Sequence, residues 1–423
     1  MTTKSIKIDN LPKKIGLLAA VLLCILGIVF FVKWCLANVI ASNANFGELA
    51  ELALSLAPND PQTHYTSAVL LEKTFSSDDL SKSLAEYEQA TALAPGDYRT
   101  WRALGKVRSR IGDMAGAEQA FRKALELAPN YSEIRWILGN HLLRQGKTPE
   151  AFIEIRQAAE SDPNFVNPTA LTAWQIFDGN LQKISQYIGD SAPINSALVV
   201  FLAKEKRFDE AMRIWNSLPA VQKKKDFKEN GDALFNQMLE AKRYRDALLI
   251  QSEIGDASEQ SFAVGEILNG GFETDVKITG ASLFDWQIEE GMQPQIGVDN
   301  SQKHGGNRSL VVIFNSATGR DFRKFSQTIA VEAGKKYGFE MFYKSELKTA
   351  ATVYWEIANV TDGKILTQTP PLSTASDWTN LKTEFTVPQN TEAIVIRLAR
   401  ETCKDTLCPI SGRVWFDDLT LTQ

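Results

Sequence analysis

APGDYRTWRALGKVRSRIGDMAGAEQAFRKALELAPN (residues 94–130) overlays on LAPNYSEIRWILGNHLLRQGKTPEAFIEIRQAAESDPN (residues 127–164), and Pro95, Pro129 and Pro163 recur thirty-four residues apart. Leu104 falls over Leu138, Gly105 over Gly139, Ala117 over Ala151 and Ala124 over Ala158. Within a copy, Trp101, Leu104, Val107 and Ile111 form one helical stripe, and Ala117, Ala120, Phe121, Ala124 and Leu125 form the next. Small residues let the two helices of a copy approach closely, bulky ones fill between copies, and each proline ends the second helix. No single pair buries its apolar face, so a stacked array is expected.

These residues resemble the tetratricopeptide repeat family, through the thirty-four-residue spacing and the Leu-Gly, Ala and Pro positions. An earlier unit, from about Asn59 to Pro95, keeps Ser83, Tyr87 and Ala90 in register despite an insertion around FSSDD. Further on, KEKRFDEAMRIW (204–215) echoes EAKRYRDALLIQ (240–251), which extends the expected helical array over residues 41–255. The resemblance implies a groove that holds a peptide or a partner protein. Arg108, Arg135, Asn140 and Arg144 are the candidate groove residues, a solvated face being the plainer fate of each. Trp101, Trp136, Phe121 and Phe152 read as core between repeats.

From Ile267 the helical period gives way to short alternating runs broken by Gly, Asn, Asp and Pro. SLVVIF (309–314), FSQTIAV (325–331), KYGFEMFYKS (336–345), ATVYWEIA (351–358), LKTEFTVP (381–388), AIVIRLAR (393–400) and RVWFDDLTLT (413–422) read as strands. With no helices between them they predict an antiparallel sandwich over 267–423, after a linker at 256–266. The segments ILNGGFET (267–274), HGGNRSLVV (304–312), VEAGKKYGFEMFYKS (331–345), DWTNLKTEFTVP (377–388) and VWFDDLTL (414–421) resemble a carbohydrate-binding-module jelly roll of the galactose-binding-like class. That resemblance implies a structural calcium where the first and last strands meet, held by Glu273 and Asp417 or Asp418; capping of the last strand is the plainer role of the two aspartates. It also implies a glycan cleft. Strand alternation puts Trp355 on the core face and turns Tyr354 and Glu356 away, so these two, with Arg397, are the candidate glycan contacts. Arg323 is a further polar partner, and Trp286 and Trp378 are expected to pack inward.

At the other end, Ile15 to Val32 is eighteen residues without a charge, thirteen of them Leu, Ile, Val or Phe. This predicts a membrane anchor over residues 15–40. Lys4, Lys7, Lys13 and Lys14 against Asp9 place a tail of residues 1–14 in the cytoplasm and the bulk outside, in a single pass through the inner (cytoplasmic) membrane. A signal peptide cleaved around Ala41 to Ala44 is the competing reading. On the oxidising side, Cys403 and Cys408 are expected to form a disulfide, a metal pair being the alternative; Cys24 and Cys35 belong to the span and its edge.

The formal net charge of −5 argues against nucleic acid as a partner. The triplet Lys223, Lys224, Lys225 reads as a solvated helix edge. His64, His141 and His304 stand isolated, and no metalloprotease, thiol-redox or phosphate-loop motif occurs. Acidic pairs such as Glu289 and Glu290 read as ordinary surface residues. The expectation is a non-catalytic multidomain chain with no required cofactor beyond that calcium. It would act as an extracytoplasmic scaffold whose solenoid binds a protein partner, in bacterial envelope or exopolysaccharide assembly. The alternative is a glycan receptor working through the jelly roll.

Overall fold

A computed structural model describes residues 10–74, 76–255, 263–317, 322–403 and 407–423. The tail up to residue 9, residues 256–262 of the expected linker and residues 404–406 between the two cysteines lie outside the described residues. The chain divides into two compact units, Met1–Ile194 and Asn195–Gln423.

The first unit is helical: α1 (Leu11–Asn43), α2 (Gly47–Leu56), α3 (Pro61–Glu72), α4 (Ser77–Leu93), α5 (Tyr98–Ile111), α6 (Met114–Leu127), α7 (Ser132–Arg144), α8 (Thr148–Ser161), α9 (Val166–Ile176) and α10 (Leu181–Ile188). Helix α1 contains the whole apolar run, whose side chains are exposed. Its 33 residues rise about 50 Å, more than a hydrocarbon core of about 30 Å requires. The surplus turns are occupied. Ala37 and Ala41 are buried, and α1 packs on α2 and α3. Asn38 Nδ2 donates to Asp60 Oδ2 at 2.7 Å, and Thr66 Oγ1 donates to the Ala41 carbonyl at 3.3 Å.

Helices α3 and α4, α5 and α6, and α7 and α8 form the tightest pairs. The second member of each stops just before Pro95, Pro129 and Pro163 respectively, as the sequence predicts. Asp97 and Asp113 cap α5 and α6 by accepting from the N–H groups of Arg99 and Gly116. At Gly139 a Cβ would lie 2.5 Å from Ile155 Cγ1, so the repeated glycine is what lets α7 close on α8. Phe121 and Phe152 are core, whereas Trp101 and Trp136 are only half-buried, which splits the expected aromatic stripe.

Ion pairs lace consecutive repeats. Glu118 on α6 accepts from Arg122 Nε at 2.9 Å and from Lys147 Nζ at 2.7 Å. Burial alone would raise its pKa, but hydrogen bonds from Lys147, Arg122 and Gln145 outweigh it and hold the carboxyl at about 2. A folded-state value below the ordinary 4.5 stabilises the native state fully above pH 4.5, and that contribution fades as pH falls through about 2. Glu118→Gln is therefore expected to flatten the melting temperature against pH inside that window and to change its slope little above it.

The second unit holds α11 (Ala192–Lys204), α12 (Phe208–Ser217), α13 (Ala220–Lys225), α14 (Lys228–Glu240), α15 (Tyr244–Ile254) and the β-sandwich. Here one expectation fails: Lys223 is buried, 2 % exposed, rather than solvated. Its Nζ meets Glu253 Oε1 at 2.8 Å and lies over the Trp215 ring, whose Nε1 donates to Glu253 Oε2 at 2.6 Å. Arg245 and Gln251 of α15 bond Glu392 and Ser282 of the sandwich.

The strands are β1 (Gln287–Ile288), β2 (Gln295–Asp299), β3 (Ser309–Ser316), β4 (Phe325–Ala330), β5 (Lys336–Ser345), β6 (Lys348–Thr349), β7 (Val353–Asn359), β8 (Ile365–Gln368), β9 (Ala375–Thr386), β10 (Ala393–Arg400) and β11 (Ile410–Thr422). They form two antiparallel sheets, ordered β1-β4-β10-β7-β8 and β2-β3-β11-β5-β9, with β6 beside β11. Between the sheets lies one core containing Phe272, Trp286, Phe325, Phe339, Trp355 and Phe416. Cys403 and Cys408 form the expected disulfide, with Cα atoms 5.8 Å apart.

Candidate functional site

Strand order brings polar residues together on the outward face of the first sheet. In register across it lie Gln287 opposite Ser326, Ser326 opposite Arg397, Arg397 opposite Glu356, and Glu356 opposite Gln368. Directly opposed residues share a face, and the alternating neighbours Phe325, Ile396 and Trp355 point into the core, so this row crosses all five strands on the outside. Arg397 Nε donates to Glu356 Oε1 at 2.6 Å, and its Nη2 donates to the same oxygen. Glu356 is 5 % exposed, so the pair is preorganised and leaves the rest of the guanidinium fork for a ligand. Tyr354 stands on the same face, opposite Ala399. Burial, and then the nearby Glu356 carboxylate, push its phenol above the ordinary value and keep it protonated. The three glycan candidates thus converge. Arg323 does not join them, since its Nε and Nη1 bind the carbonyls of Pro294 and Gly291.

Glu273, Asp417 and Asp418 all face the loop 304–308. A β-bulge between Asp417 and Thr420, with Asp418 at φ 49°, turns two successive aspartates toward it. At Gly270 a Cβ would lie 2.1 Å from the Leu419 carbonyl, so glycine is required where the loop before Glu273 meets β11. Asp417 is buried and accepts from the N–H groups of His304, Gly305 and Asp418, while Asp418 Oδ2 meets His304 Nδ1 at 2.7 Å. Glu273 Oε1 accepts from the N–H groups of Asn307 and Arg308. Burial raises the pKa of Asp417, partly offset by those hydrogen bonds. In kind, these oxygens suit calcium, and among the described residues no Lys or Arg pairs with Asp417. In number they fall short: among the described residues no three His, Cys, Asp or Glu side chains gather to hold a metal. Trp378 is half-exposed rather than packed inward; it stands edge-on to His304, which stacks on Phe342 at 3.6 Å.

In the first unit, Lys106, Ser109 and Arg110 of α5, Phe121 of α6, and Trp136, Ile137, Asn140 and Arg144 of α7 line a cavity of about 380 Å³. Two of the four groove candidates, Asn140 and Arg144, are here. Arg108 and Arg135 are instead spent inside the array, on Glu88 at 2.9 Å and on Glu154 at 2.7 Å. Lys106 and Arg110 were not among the candidates, although they occupy the positions of Asn140 and Arg144 one repeat earlier. Ser109 Oγ lies 3.3 Å from His141 Nδ1, and His141 Nε2 faces the Met114 carbonyl at 2.9 Å. That carbonyl requires the ring proton on Nε2, so Nδ1 accepts from the serine, and among the described residues no carboxylate orients the ring as in a catalytic triad.

Residues 265–404 match the carbohydrate binding domain family, and residues 75–132 and 110–164 match the tetratricopeptide repeat family. A solved structure described as "CBM4 structure and function" is 17% identical over 37% of this chain and 98% of its own, with a TM-score of 0.29. A crystal structure of MamA is 14% identical over 33% of this chain and 81% of its own, TM-score 0.30. A further MamA structure, from Desulfovibrio magneticus RS-1, is 20% identical over 31% of this chain and 75% of its own, TM-score 0.28. No curated protein sequence matches the chain.

Proposed function

We propose that this chain, which joins tetratricopeptide repeats to a jelly-roll sandwich of the carbohydrate-binding type, is a membrane-anchored extracytoplasmic adaptor in a bacterial envelope. It holds a protein partner on its repeats, in the service of envelope or exopolysaccharide assembly, and catalyses no reaction. The observation that carries this is the α5–α7 cavity, where Lys106 and Arg144 form no ion pair among the described residues. The buried Ala37 and Ala41 support a retained anchor, because cleavage at Ala41 to Ala44 would strip α2 and α3 of their cover. A photo-cross-linker at Ile137 is expected to capture an envelope protein in intact membranes, with the exposed Val221 as control; equal capture from both sites, or from neither, would defeat the proposal.

The polar row on the first sheet favours a second reading, a glycan receptor. The full chain is expected to select particular glycans on an array. Arg397→Ala should weaken that binding about tenfold or more, since a hydrogen bond from a charged group is worth roughly 1.5–3 kcal/mol, and Tyr354→Ala about two- to tenfold, since a neutral one is worth roughly 0.5–1.5 kcal/mol. Absence of any selective glycan would remove this reading.

Calcium belongs to the same proposal, at the Asp417 corner, with backbone carbonyls completing the shell. A ligand at about one hundred times its Kd stabilises by about 2.7 kcal/mol. The melting temperature of the sandwich should therefore rise in calcium over chelator, and Asp417→Asn should abolish the difference. Identical melting in both solutions would drop the ion.

A further inference from the structure

Building on the adaptor reading, we propose that the occupant of the α5–α7 cavity is an acidic peptide segment carrying one apolar side chain. The cavity's chemistry is two-sided. Lys106, Arg110 and Arg144 are exposed at its rim, and Phe121, Trp136 and Ile137 supply an apolar floor. Lys106 and Asn140 are repeat-equivalent, as are Arg110 and Arg144, so the first helices of two successive repeats place polar heads at the same two positions. Within each helix these heads are four residues apart, about 6 Å along the axis and a little over one turn. Carboxylates on one side of an extended chain recur about 6.6 Å apart, so a strung series fits this rim better than one compact anion.

Charge points the same way. Arg110 is shared with Glu72 at 3.3 Å, while Lys106 and Arg144 form no ion pair among the described residues. Glu72 is the one carboxylate ion-paired at this rim among the described residues, and it pairs with Arg110 alone. Three cations against one carboxylate leave a positive spot on a chain whose formal net charge is −5. A volume of about 380 Å³ lies within the range of ligand pockets, about 300–1,000 Å³, and takes an apolar side chain with its flanking backbone.

The test uses the detergent-solubilised full chain and three labelled peptides of equal length: Leu flanked by Asp and Glu, Leu flanked by Asn and Gln, and Ser flanked by Asp and Glu. The first is expected to bind about tenfold or more tighter than either other, with an affinity that falls as salt rises. Arg144→Glu and Lys106→Glu should each remove that preference, and Arg144→Lys should keep part of it; the exposure of these side chains leaves the fold intact, which circular dichroism checks. Equal binding of the acidic and amide peptides, or acidic binding indifferent to Arg144→Glu, overturns the inference. If Ile137 still cross-links a partner in membranes under that outcome, the acidic chemistry falls and the adaptor stands. Acid-selective binding without any cross-linked partner gives the reverse result.

Discussion

Trp355→Ala is expected to cost the sandwich about 3–5 kcal/mol, a large share of a domain stability of about 5–15 kcal/mol. The indole is fully buried among Trp286, Phe325, Phe339 and Phe416, with ring centroids 5.9, 6.2, 6.4 and 5.2 Å away. Alanine leaves a cavity that two opposed sheets cannot close. Phenylalanine should behave differently, because Trp355 Nε1 is buried without a hydrogen-bond partner among the described residues. Removing an orphaned donor recovers about 1–3 kcal/mol against the lost ring area, so Trp355→Phe should stay within about 1.5 kcal/mol of the parent. Urea unfolding followed by near-ultraviolet circular dichroism checks both, and equal losses in the two variants would contradict this reading of the core.

The second large effect is predicted at Lys223. Lys223→Ala leaves Glu253 beside Trp215 without its cation, and breaking a buried pair from one side costs about 3–5 kcal/mol. Glu253 keeps 26% of its side chain exposed, which places the expected loss toward the lower end. Removing both charges should cost far less. In Lys223→Met with Glu253→Gln, the amide oxygen still accepts from Trp215 Nε1 and the methionine fills the lysine's path. Loss of helical signal at 222 nm against denaturant measures the difference; a double variant as unstable as Lys223→Ala would mean that the ion pair is not the source.

These two sites also mark what could and could not be read from the chain. The tight helix pairs were legible because their period repeats: Gly139, Ala151 and Pro163 each sit where Gly105, Ala117 and Pro129 do, and the packing uses them alike. Strands β5 and β10 fall on the expected residues because one face of each is buried, which imposes strict alternation. Short or polar β1, β2, β6 and β8 carry no such signal, and β9 begins at Ala375, before its alternation becomes apolar. The burial of Lys223 is not legible in the sequence because it depends on Trp215 and on Glu253, thirty residues away, neither of which its neighbours reveal.

The candidate sites follow the same logic. Tyr354 and Glu356 were legible as outward residues from alternation alone, but Ser326, Gln287 and Gln368 became part of the row only through the order β1-β4-β10-β7-β8, which follows from topology. In the helical unit, Arg108 and Arg135 share helices with the cavity yet turn toward Glu88 and Glu154. Lys106 and Arg110 stand one repeat before Asn140 and Arg144, so the repeat itself carries them to the cavity. The resemblance implies an inward Trp378, while its place on β9 leaves it beside His304 on the outer face.

Anchored, extracytoplasmic placement underlies both binding proposals, and non-reducing peptide mapping of the chain extracted from its own membranes tests it most directly. Peptides from Leu11 to Asn43 retained on the same polypeptide as an oxidised Cys403–Cys408 pair are the expected result. A mature chain beginning after Ala41 or Ala44, or the two cysteines recovered as free thiols, would contradict it.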